Sequence, residues 1–259
     1  MAAALAVPSV LSAGGLETLR GGAEASFAYL PARFIAADAA AAAPVPAYDA
    51  AGAVPRAAKA YYLSSDQVAT DNFQSPPAAG SAEAQADLAT VLQWQKNRTP
   101  AQCAAAKAQS GLSYDAFFGA VSPFPSPLPS AAAAFFKRVI SDSGAADGYL
   151  KDLYQRPRPF QQNSSVNPCL GKVGGYSYPS GHATASHLLG RILADLAPQQ
   201  ASTFMAYADQ AALNRVIGGV HFPSDIEAGK RLADSVYAKM QQNPAFAADM
   251  NAMKKLLSK

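Results

Sequence analysis

An all-α, single-domain helical bundle is the fold this sequence predicts, and three observations carry the prediction. Alanine is abundant along the whole chain while β-branched runs are scarce, a composition that favours helix, because Ala gives up no side-chain entropy there and branched side chains do. Apolar residues recur at three- and four-residue spacing in segment after segment. Between those segments stand cap residues and breakers drawn from 18 Gly and 19 Pro in 259 residues, a length sufficient for one large domain with a substantial core. No internal repeat is present.

The domain is expected over residues 61–259, after an N-terminal segment of residues 1–60 with its own character. Met1 to Gly14 is apolar, Ala-rich and ends in small residues at Ser12 and Ala13, like the later part of a secretory signal without its positively charged start. A low-complexity Ala/Pro stretch over 36–60 reads as a linker or arm. From this segment a periplasmic or secreted location is expected.

Within the domain, Ser81 caps a helix to Asn97 with Leu88, Val91, Leu92 and Trp94 on one face, stopped by Pro100. Thr99-Pro100 supplies a cap and first position for a second helix ending at Gly111. Tyr114 to Gly119 is a short aromatic helix or turn, and Pro123 to Pro129 a connector. Ser130 to Ile140 and Ala145 to Gln155 read as two helices, the second ended by Arg156-Pro157-Arg158-Pro159 on a stiff, extended exit. Gln161 to Tyr178 is a polar loop. Ser180 then caps a helix patterned by Ala183, Leu188, Leu189, Ile192, Leu193 and Leu196, which stops at Ala197-Pro198. A further helix runs from about Gln199 to Ile217, Ser224 or Asp225 opens another through Tyr237, and Pro244 to Leu257 is an amphipathic tail.

The net charge of +3 and pI near 8.8 suit a small anionic substrate, and no Lys/Arg-rich run points to nucleic acid. No uncharged apolar run is long enough to span a bilayer; the richest, residues 131–140, is short and carries Lys137 and Arg138. Cys103 and Cys169 are either one disulfide or two buried thiols, and neither has a neighbouring Cys or His of the kind metal sites use. No metal or other cofactor is expected.

Chemistry concentrates in three clusters: Lys151 with Arg158; Ser180, Gly181 and His182; and Arg215 with His221 and Asp225. A helix start such as Ser180-Gly181 presents unpartnered N–H groups at the positive end of a dipole, which favours an anion. Two arginines and a lysine can neutralise phosphoryl oxygens. Two histidines remain, one to attack and one to move the leaving-group proton.

Lys151 with six residues before Arg158-Pro159, then Pro179 to His182, then Arg215 with five residues before His221, and Asp225, together resemble the three-part signature of the type-2 phosphatidate phosphatase superfamily. Arg156 beside Arg158 and Tyr178 before Pro179 are similar to its soluble bacterial branch, the class A non-specific acid phosphatases. The resemblance covers roughly Gln74 to Tyr237. It implies a helical fold of the acid phosphatase and vanadium haloperoxidase type, and an enzyme hydrolysing phosphomonoesters with broad specificity, without metal, through a phosphohistidine. Phosphotransfer to an alcohol or nucleoside, and a homo-oligomeric state, are compatible with it. His221 would attack phosphorus, Asp225 would fix its tautomer, and His182 would serve as acid and then base. Lys151, Arg158, Ser180, Gly181 and Arg215 would bind the phosphoryl oxygens. The two histidines are expected to differ in proton affinity, His221 neutral and His182 protonated, favouring acidic pH.

The chain departs from the pattern at Asn214, where serine is usual, and at Ala183, where threonine is frequent; either change leaves the central ligands intact, and both lie close enough to alter phosphate hydrogen bonding or rate. A vanadate-dependent haloperoxidase and a phosphate-binding protein without activity are the alternatives. Among residues outside the signature, Arg156 either solvates a helix end or pairs with an acid. His187 is read as packing, Asp142, Asp147 and Asp152 as solvated charges, and Phe117, Phe118, Phe135 and Phe136 as core.

Overall fold

The computed structural model describes residues 60–68 and 73–258. Apart from Ala60, the segment read as signal and linker lies outside the described residues. The helices are α1 (Ser65–Val68), α2 (Ala82–Asn97), α3 (Pro100–Ala108), α4 (Tyr114–Phe118), α5 (Ser130–Tyr154), α6 (Pro159–Gln162), α7 (Gly181–Leu196), α8 (Ala201–Ile217), α9 (Pro223–Met240) and α10 (Pro244–Leu257), with no strand among the described residues.

The bundle is built around α7, which packs on α8, α9 and α5. Ten of its apolar and small positions, from Ala183 through Leu196, are buried together with His187. A helix with so wide an apolar surface belongs inside, and this one is central, with Arg191 and Asp195 on its one exposed strip. Gly190 permits the closest approach to α8, since a Cβ there would lie 3.3 Å from the Cβ of Ala208. The aromatic residues read as core are so: Phe117, Phe118, Phe135 and Phe136 are all at most 2% exposed, each stabilising by roughly 1.5–3 kcal/mol relative to exposure.

Caps behave as their chemistry requires. Ser81, Thr99, Ser113 and Ser180 each accept a backbone N–H from the first turn they precede. Two boundaries differ from the sequence reading. The pair of helices expected over 130–155 is one 25-residue helix, α5. Ser141 to Gly144 resembles a break locally, but Asp142 is fully buried and accepts the backbone N–H groups of Tyr61, Tyr62 and Leu63 at 2.6–3.1 Å. Asp142 is thus an internal anchor for the chain entering the domain, not a solvated charge. In addition, α9 starts at Pro223, and Asp225 sits inside its first turn, accepting the N–H of Phe222 at 2.8 Å. The prolines of the exit also do more than expected, since Pro159 opens the short helix α6.

Candidate active site

Three chain segments converge where α7 begins. The Ser180 N–H donates to the Asp225 carbonyl at 3.0 Å, pinning α7 to the start of α9. Lys151, one turn from the end of α5, donates from Nζ to the Pro179 carbonyl at 2.5 Å. Arg158 reaches the same place from the exit segment, donating from Nη1 to the Val220 carbonyl at 2.9 Å and facing His221 Nε2 at 3.1 Å. Its Nε and Nη2 donate to the carbonyls of Gly174 and Gly175 at 3.0–3.1 Å. Lys151, Arg158, Ser180, Gly181, His182, Arg215, His221 and Asp225 are thereby gathered at one end of the bundle.

His221 is 3% exposed, and its ring has a defined polarity. Nδ1 lies 3.4 Å from Asp225 Oδ2. A carboxylate only accepts, so Nδ1 carries the proton and Nε2 presents its lone pair towards Arg158. Asp225 itself is fully buried. Burial opposes its charge, but Arg156 and the His221 and Ser177 donors outweigh that and hold its carboxyl below the usual range. Ser177 Oγ donates to Oδ2, and Arg156 Nη1 donates to Oδ1 at 2.5 Å. Arg156 therefore pairs with an acid, and does so in the interior.

Arg215 differs from the other cations. It is 4% exposed, yet Nε and Nη1 have no hydrogen-bond partner among the described residues. Each unmet donor costs on the order of 1–3 kcal/mol. Burial and then the neighbouring Arg158 push its pKa down to about 10, so it remains charged at neutral pH. A buried, charged fork with idle donors is chemically an anion site.

His182 turns its Nε2 towards the Ser110 carbonyl at 3.1 Å and meets the Phe117 ring edge-to-face at 5.9 Å. The expected separation of the two histidines is not found. Burial first, then Arg215, pushes His182 down to about 3. Burial likewise takes His221 to about 3, with Arg158 adding to it and Asp225 opposing. Both imidazoles are neutral chiefly because burial disfavours the charged ring, and the neighbouring cations add to that penalty.

Asp147 is also not solvated. It accepts from Lys151 Nζ at 2.5 Å, and burial raises its pKa while Lys151 and Arg158 oppose. Its Oδ2 would be 2.8 Å from a Cβ at position 181, so a side chain there would have to displace the Asp147 carboxylate from Lys151. The two departures from the pattern sit in different surroundings. Ala183 is fully buried in an apolar cluster with Phe222 and Ile226. Asn214 donates to Gln109 Oε1 at 2.6 Å, beside the Ser110 carbonyl that holds His182. His187 contacts Asp209 at 3.0 Å and plays no part in the cluster.

Four residues of the surroundings escaped the sequence reading as parts of the site: Asp87, Asp147, Ser177 and Ser224. Asp147 stands four residues before Lys151, a helical ion-pair spacing. Asp87 shares the face of Val91 on α2, where an acid must have a partner. Nothing local marks the two serines. Among the described residues no group of three His, Cys, Asp or Glu is arranged to hold a metal ion.

Residues 131–233 match the PAP2 superfamily model. A non-specific acid phosphatase of Salmonella typhi is 34% identical over 114 residues, covering 42% of this chain and 45% of that protein. An acid phosphatase of Zymomonas mobilis is 31% identical over 133 residues, covering 49% of this chain and 50% of that one. A lipid A 1-phosphatase of Rhizobium etli is 32% identical over 100 residues, covering 37% and 43%. The chain spans about half the length of these relatives.

Proposed function

We propose, from a chain whose residues 131–233 match the PAP2 superfamily, an acid phosphatase that hydrolyses phosphomonoesters through a phosphohistidine. The observation that carries this reading is the Nε2 atom of His221, a lone pair oriented by Asp225 at Nδ1 and faced by the Arg158 guanidinium at 3.1 Å. Nucleophilic catalysis needs a neutral, oriented imidazole, and phosphoryl transfer needs cations about the transferring group.

In the first step His221 Nε2 forms a bond to phosphorus as the bond from phosphorus to the ester oxygen breaks. The alkoxide takes a proton from His182. Water then attacks phosphorus while giving a proton to His182, the N–P bond breaks, and phosphate and neutral His221 are regenerated. Arg215 brings its idle Nε and Nη1 donors to the phosphoryl oxygens, and Lys151, Arg158 and the first N–H groups of α7 complete the cradle. An incoming dianion cancels the field of these cations, and the proton affinity of His182 rises as the substrate binds. The acid is thus charged when it is needed. The recognised groups all address the phosphoryl end, which supports broad leaving-group tolerance and no need for a metal.

We also place the protein in an oxidising compartment, periplasmic or extracellular, on the support of the Cys103–Cys169 disulfide. No helix among the described residues is long and apolar enough to cross a membrane.

The test is hydrolysis of p-nitrophenyl phosphate at pH 5 to 7 in EDTA. Activity that is lost in His221→Ala, and spared in His182→Ala only for good leaving groups, is the expected result. An inactive wild type that oxidises halide once vanadate is added would overturn it.

A further inference from the structure

The chain of contacts behind His221 extends beyond the three signature segments. Arg156 lies under the nucleophile's carboxylate, 1% exposed, with its guanidinium stacked 4.2 Å from the centre of the Phe222 ring. One edge of its fork meets Asp225 Oδ1 at 2.5 Å, and Nη2 meets Asp87 Oδ2 at 2.8 Å. Asp87 comes from α2, outside the matched residues 131–233. It also accepts the Ser224 N–H at 3.0 Å and the Ser224 hydroxyl, and that hydroxyl accepts from Arg156 Nη1 at 2.7 Å. Asp87, Arg156, Ser224 and Asp225 form one buried network, and its last member holds His221.

We infer that Asp87 is a positioning residue for the nucleophile, acting through Arg156 and Ser224 on Asp225. The inference rests on the phosphohistidine reading above. Two carboxylates share one guanidinium, so the network keeps one net negative charge. Were Arg156 paired with Asp225 alone, it would cancel that carboxylate and leave no field at His221. The imidazole becomes positive as Nε2 bonds to phosphorus, and a negative network behind Nδ1 stabilises that state. Asp87 also clamps Ser224, in the first turn of α9, to α2, fixing the turn that carries both His221 and Asp225. Asp87 lies on the far side of Arg156 from Asp225, so its loss should slow the chemistry and spare phosphate binding.

The experiment compares wild type with Asp87→Asn, which keeps the shape and removes the charge, measuring kcat for p-nitrophenyl phosphate and the inhibition constant of inorganic phosphate. Expected is a fall in kcat on the order of tenfold with the phosphate constant unchanged within about twofold. Equal kcat, or a rise in the phosphate constant matching the fall in kcat, would overturn the inference. Should Asp87→Asn not fold, Ser224→Ala gives the same reading: reduced kcat at constant phosphate affinity supports it, and unchanged kcat refutes it. An inactive wild type removes the phosphatase reading and this inference with it, whereas an active wild type equalled by Asp87→Asn removes this inference alone.

Discussion

Asn214 donates from Nδ2 to Gln109 Oε1 at 2.6 Å, tying the last turn of α8 to the end of α3. The next residue, Ser110, offers its carbonyl to His182 Nε2 at 3.1 Å. The residue before Arg215, the proposed phosphate ligand, thereby supports the turn that orients the proposed acid. Removing it in Asn214→Ala should loosen His182 at a cost of about 1 kcal/mol in the step that protonates the leaving group, or roughly fivefold in rate. Substrates with alkyl leaving groups need that proton and should slow by this factor, while p-nitrophenyl phosphate should change little. Steady-state rates on the two substrate types provide the check; equal slowing of both would count against the arrangement.

The depressed pKa of His182 makes a stability prediction of known sign. Its pKa falls from 6.5 to about 3 on folding. Between those values the unfolded chain binds more protons at this site than the folded one, so folding weakens as pH falls through the window. His182→Gln removes that penalty. Relative to wild type, the variant should gain stability by up to about 1.4 kcal/mol for each pH unit below 6.5, read from thermal melts at pH 7, 6 and 5. A stability difference that does not vary with pH would mean that the imidazole is not held neutral. Inorganic phosphate should raise the melting temperature of wild type, because it fills the idle donors of Arg215.

How far the sequence discloses this arrangement depends on the range of each interaction. Ser180 is legible as a cap because its partner, the Ala183 N–H, is three residues away. The same holds for Lys151 and Arg158, whose spacing follows from one helix end and two prolines. Asp142 and Arg156 are misjudged or left open for the opposite reason. Their partners lie about 80 and 69 residues off, and no local pattern announces that an acid in a helix is an interior anchor or that an arginine between prolines is buried. The proton affinities fail to follow the expected split because desolvation is a property of the assembled pocket.

The disulfide offers a test of how the loop between α6 and α7 is held. Cys103 on α3 is bonded to Cys169 across 66 residues. The same loop is gripped by Arg98, which donates to the Asn167 carbonyl at 2.5 Å and the Ile217 carbonyl at 2.8 Å. It also carries the Gly174 and Gly175 carbonyls that hold Arg158. Closing a loop of this length stabilises by about 4 kcal/mol on the chain-entropy account. Cys103→Ser/Cys169→Ser should therefore melt well below wild type and bind phosphate more weakly. A double variant with unchanged melting temperature would show that the polar contacts alone secure the loop.

Gly229 sets the distance between α9 and the phosphate end of α7. A Cβ at this position would lie 2.6 Å from the Ser180 carbonyl oxygen, 2.8 Å from the Ala183 Cβ and 3.1 Å from the Thr184 amide nitrogen. These are backbone and buried atoms that cannot swing aside, so Gly229→Ala must push the start of α7 off α9 and stretch the Ser180 to Asp225 bond. The expected cost is about 1–3 kcal/mol of stability, together with weaker inhibition by inorganic phosphate. Gly144, mid-helix in α5, supplies the contrast, since a Cβ there meets nothing within 4 Å. Gly144→Ala should stabilise by about 0.5–1 kcal/mol, as the unfolded chain loses more freedom than the folded one. Opposite shifts in chemical denaturation midpoint, with phosphate affinity altered only in Gly229→Ala, are the outcome this packing requires; a harmless Gly229→Ala would mean that α7 is not pinned by α9.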